Sequence, residues 1–171
     1  MADRLPACSP FFRSLTAALS LLCLTTASAQ EPRTEYRMSL TDVYGAYQSV
    51  LARRDACGSA FPQARGRTES AYTAWQSRNR KLIDELEQRV NMMIRSASKD
   101  EKDYARNVGK YEGAILRQRE EVKQTLLQLP RTELETECTA LPQFLQAADS
   151  DLEKEFAEQL TVIRKRPLAK R

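Results

Sequence analysis

The sequence predicts an all-α protein: an antiparallel up-and-down bundle of four to five helices with one disulfide, after a cleaved signal peptide. Three observations predict it. Apolar residues recur at helical spacing over long stretches, no convincing period-two run follows the leader, and two cysteines remain once the leader is removed. Of 171 residues, 42% are hydrophobic and 29% charged, with few glycines and no low-complexity tract. That composition fits one soluble globular domain that leans helical.

The leader comes first. Arg4 and Arg13 precede the apolar run Leu15 to Leu24, about ten residues long, which is too short to span a bilayer and suits a secretory h-region. Ala27-Ser28-Ala29 supplies the small residues a signal peptidase reads, so residues 1–29 are expected to be cleaved before Gln30. Export is expected, most simply to a bacterial periplasm as a soluble protein. Lipoprotein anchoring through Cys23 is disfavoured because bulky Leu22 precedes it. Cleavage leaves 25 Lys plus Arg against 22 Asp plus Glu, a net charge of +3. It also removes Cys8 and Cys23. In an oxidising compartment the remaining Cys57 and Cys138 are expected to form a disulfide, since they lack the close Cys-x-x-Cys spacing of a redox pair.

Residues 30–38 read as a flexible N-terminal lead, 39–166 as the helical domain and 167–171 as a basic tail. Ser39 and Asp42 resemble a capping box for a first helix carrying Leu40, Val43, Tyr44, Tyr47, Val50 and Leu51, with Gly58 as its C-terminal cap. Residues 59–67, with Pro62 and Gly66, read as a loop. Thr68 is placed to cap a second helix whose stripe runs from Tyr72 and Trp75 through Leu82, Leu86 and Val90 to Ala97. Arg80, Lys81, Asp84, Glu85, Glu87, Gln88 and Arg89 form its polar side. Ser98 and Glu101 are expected to cap a third helix, with Tyr104, Val108, Tyr111, Ile115, Val122, Leu126 and Leu129 as its stripe, ended by Pro130. Thr132 and Glu135 open a short helix around Leu134, Cys138 and Leu141. Pro142 either breaks it or starts a last helix running from Phe144 to Ile163. In such a bundle Cys57 and Cys138 arrive at the same pole.

Chemistry is mostly argued against. The chain contains no histidine, the commonest general base and neutral metal ligand. No phosphate-cradling glycine loop occurs. The glutamates lie mostly opposite the apolar stripes, as a solvated face would, so neither a cofactor nor a catalytic or metal site is expected. Three features stand out as a possible partner or ligand surface. Asn79 interrupts the apolar stripe near Trp75 and Arg78, as a register-fixing polar residue or a pocket lining would. Gly109 and Gly113 form a small-residue strip on the third helix, explained by close helix approach or by a partner. The last eight residues of the chain include five basic ones; Arg164 to Arg166 complement the helix dipole, and the tail beyond Pro167 is placed to touch an anionic membrane. Nucleic acid is a poor partner at this net charge. The expected function is that of a non-catalytic protein-binding module of the cell envelope, of inhibitor, adaptor or immunity type. The alternative is a small-molecule or lipid carrier using the bundle core, and a carboxylate-based hydrolase comes third.

Overall fold

The computed structural model describes residues 31–168; the predicted leader, with Cys8 and Cys23, and the last three tail residues lie outside them. Six α-helices run in order: α1 (Glu31–Ala60), α2 (Arg65–Ser96), α3 (Glu101–Leu127), α4 (Arg131–Gln146), α5 (Leu152–Glu155) and α6 (Ala157–Arg164). No strand occurs among the described residues. Helix α1 packs against α2, α3 and α6, and α2 packs against α4. One apolar cluster runs through the contact, from Leu40, Val43 and Tyr47 of α1 and Trp75, Leu82 and Leu86 of α2 to Leu141, Leu145, Leu160 and Ile163. The apolar spacing that predicts helices one and two therefore faces inward, as burial of a helical stripe requires.

Cys57 of α1 and Cys138 of α4 are disulfide-bonded, with 5.3 Å between Cα atoms. The bond closes a ring that contains all of α2 and α3.

Several boundaries differ from the sequence reading. Helix α1 begins at Glu31, so the expected flexible lead of 30–38 is helical from its second residue. Ser39 is buried inside the helix instead of capping it, because Tyr36 one turn earlier already joins the core. The loop of 59–67 shrinks to Phe61 and a 3-10 turn over 62–64. Phe61 is buried, and its carbonyl accepts from Ala64 N–H, which tightens the connection. Gly58 is helical, and its carbonyl accepts from Arg65 Nη2 across the turn at 3.2 Å. Thr68 lies inside α2 and donates back to the Ala64 carbonyl, as a mid-helix threonine does. Helix α3 is capped by Asp100, which accepts from Asp103 N–H at 2.8 Å, and not by Ser98. Ser98 instead donates to the Ile94 carbonyl and accepts from Asn107. Thr132 and Glu135 form no capping box, since α4 starts at Arg131 behind Pro130. Pro142 lies within α4, and the predicted single last helix is divided by a bend at 147–151 and another at Phe156.

Helix α3 has no fully buried residue, although its stripe packs on the core through Tyr104, Val108, Tyr111 and Leu126. Gly109 and Gly113 lie away from that contact. No heavy atom stands within 4 Å of where a Gly109 Cβ would be, and only the Arg117 guanidinium approaches that of Gly113. Close helix approach therefore does not explain them. Gly109→Ala is expected to stabilise the protein by about 0.5–1 kcal/mol, through backbone entropy in an exposed helix. A urea titration that gives a lower midpoint for the variant would contradict this.

Candidate functional site

The Trp75, Arg78 and Asn79 cluster grips the bend after α4. Trp75 is 0% exposed, and its Nε1–H donates to the Ser150 carbonyl at 2.7 Å. Asn79 is buried with Nδ2 donating to the Trp75 carbonyl and Oδ1 accepting from Leu152 N–H, both at 3.0 Å. It thus satisfies a backbone donor at the start of α5 that a four-residue helix leaves open. Arg78 Nη2 donates to the Leu145 carbonyl. All three side chains bind the chain's own backbone, as a register-fixing cluster does.

A second grip lies near the other end of α2. Arg89, assigned by periodicity to the polar side, is only 4% exposed. Its Nη1 donates to the carbonyls of Ile163 (3.0 Å) and Arg166 (2.9 Å), capping the C-terminal end of α6, where carbonyls lack helical partners. Glu85, one turn before Arg89 on α2, pairs with it at 2.8 Å and with Arg164 at 2.8 Å. Burial works against the Glu85 charge. Hydrogen bonds from Arg164 and Arg89 outweigh it and hold the carboxyl below its ordinary value. Asp55 is held down the same way by Arg119 and Arg54. A folded-state pKa below the unfolded one contributes stability above the unfolded value and loses it as pH falls. Stability is therefore expected to decline on acidification below about pH 4.5, the ordinary Glu value. Glu85→Gln should lower stability at pH 7 and shrink the further loss between pH 5 and 3. Urea midpoints across that range measure both; a wild-type midpoint unchanged down to pH 3 would refute the expectation.

By holding the Arg166 carbonyl, Arg89 places the end of the chain beside α1. There Arg166 lies over the Tyr36 ring, 4.4 Å from its centroid. The result is a groove of about 820 Å³ walled by the start of α1, the end of α2, the first half of α3 and the chain end. Arg37, Lys110 and Arg166 line it, together with Met92, Met93 and Tyr111. Its lining includes no carboxylate. Sequence reasoning missed this site because its residues come from four separated segments, and only the basic tail hinted at it. Trp75, Arg78, Asn79, Gly109 and Gly113 are not among its lining residues.

A smaller cavity of about 200 Å³ lies beside the disulfide, lined mainly by Leu126, Leu134, Leu141 and Phe144. Glu87, at the exposed face of α2, is pushed above its ordinary value by local desolvation and then by the Asp84 charge. Among the described residues no cluster of Cys, Asp and Glu could hold a metal ion, and no helix is long and apolar enough to cross a membrane. Compared with known proteins, the chain matches no family model, no curated protein and no solved structure.

Proposed function

We propose that this is a non-catalytic binding protein of the cell envelope, exported after removal of residues 1–29 and folded as an up-and-down helical bundle. Its binding site is the groove between α1, α2, α3 and the chain end. The observation that carries the reading is the groove itself: a concave surface of mixed character, with Met92, Met93, Tyr111 and Ala114 beside Arg37, Lys110 and Arg166 and no acidic lining. Binding sites for compact ligands have this character, and they lie between helices in bundles. The carrier reading thus moves from the bundle core to its surface, because Trp75 and Asn79 are fully engaged inside the fold.

A protein partner is the second reading, favoured by the outer face of α3. Leu116 is 62% exposed there, on the same side as Gly109 and Gly113.

Expression of the full chain in a bacterial host tests the proposal. The expected product is a periplasmic protein beginning at Gln30 that carries a bound small molecule in native mass spectrometry. Arg37→Glu with Lys110→Glu should release that molecule. A protein retained in the cytoplasm with its leader, or a ligand that survives both substitutions, would overturn the reading. A co-purifying protein displaced by Leu116→Glu, with the groove empty, would replace it with the α3 interface.

A further inference from the structure

We propose that the groove binds a single-chain anionic amphiphile, a carboxylate or phosphate head on an apolar body. The inference rests on the groove being the binding site. Arg37, Lys110 and Arg166 reach its edge from α1, α3 and the chain end, and all three are exposed. Among the described residues, none of the three has a carboxylate within ion-pair distance. Unneutralised positive charge at the mouth of a low-dielectric concavity concentrates the field and draws an anion. Arg89 is also in the wall, but Glu85 neutralises it and the α6 carbonyls occupy its donors, so it acts as a positioning residue.

The floor selects the rest of the ligand. Met92, Met93, Tyr111 and Ala114 offer an apolar surface, and methionine side chains adapt to chains of irregular shape. A bare inorganic anion would leave that surface wet, and an uncharged hydrocarbon would leave the three cations without a counter-charge. Size argues for a compact occupant. The α3 wall runs from Asn107 to Ala114, two helical turns or about 10 Å, too short to seat a long partner helix. The volume of about 820 Å³ falls in the range of small-molecule sites, about 300–1,000 Å³.

Calorimetric titration of the purified, disulfide-intact protein with decanoate, decyl phosphate and decanol tests this, each below its aggregation limit. Both anions, or whichever head the cations prefer, should bind at least about tenfold more tightly than decanol. Arg37→Glu combined with Lys110→Glu should weaken the preferred anion by roughly a hundredfold, about tenfold per charge, with thermal stability unchanged. The ratio of decanoate to decyl phosphate identifies the head. Decanol binding as tightly as the anions, and lost on Met93→Asp, would overturn the anionic head and leave the groove as a site. No binding by any of the three would overturn both readings. Binding only to phosphatidylglycerol vesicles would assign the basic residues to a membrane surface and overturn the single-ligand proposal.

Discussion

Trp75→Ala is expected to lower the unfolding free energy by roughly 3–5 kcal/mol, the usual cost of removing a fully buried aromatic side chain. Trp75 joins three parts of the molecule. Its ring stacks on Tyr47 of α1 at 6.3 Å between centroids and meets Tyr72 of α2 at 6.1 Å. Its indole N–H satisfies the Ser150 carbonyl beyond α4. Alanine would leave both a cavity and an acceptor without its donor, and an unsatisfied buried group adds about 1–3 kcal/mol where water cannot replace the partner. Trp75→Phe helps to separate the two contributions, since it keeps an aromatic ring in the core while deleting the N–H and part of the indole. Its loss should be about half that of alanine or less. Urea unfolding followed by circular dichroism measures both variants; a loss below about 1 kcal/mol for alanine would show that the ring is not part of a tightly packed core.

Opening the Cys57–Cys138 bond should cost a comparable amount. The two cysteines are 81 residues apart in sequence, and the chain-entropy treatment of such a ring gives about 4–5 kcal/mol. Either Cys57→Ala or Cys138→Ala alone opens the ring, so each single variant and the double variant should show nearly the same loss. Additive losses would mean that side-chain packing, and not the cross-link, carries the effect. Reduction of the native protein should reproduce the loss without any change in the buried apolar surface.

The helical class and the disulfide were legible from the residues because each rests on a simple count. Leu40, Val43 and Tyr47 repeat at helical spacing, and of the cysteines only Cys57 and Cys138 lie after residue 29. Helix ends were harder. Ser39 and Thr68 have good capping chemistry, yet burial of Tyr36 and of Thr68 itself places both inside helices, and Ser98 yields the cap of α3 to Asp100. Local side-chain preferences are worth about 1 kcal/mol and yield to burial of a larger ring. Pro142 shows the same order of effects: the surrounding residues Leu141 and Leu145 are buried, and α4 continues through it. Arg89 was read as solvated because charge normally is. Its burial depends on Glu85 and on two carbonyls from more than seventy residues away, which no local window contains. The groove was illegible for the same reason. Asn79 was the exception, since a polar residue inside a long apolar stripe needs a partner, and Leu152 N–H is one.

The chain has two grades of attachment. Helices α2 and α3 belong to a covalent circuit that no thermal fluctuation can open. Everything after Gln146 hangs outside that circuit, held by the burial of Leu152, Leu160 and Ile163 and by three side-chain latches: Trp75 on Ser150, Asn79 on Leu152 and Arg89 on Ile163 and Arg166. Such a segment can peel away as a unit at a free-energy cost below that of global unfolding. Because Arg166 and Pro167 form one bank of the groove, peeling would dismantle the site while the cross-linked body stays folded. An occupant held against that bank would close the latches, and its affinity and the docking of the C-terminal segment would then be two readings of one equilibrium.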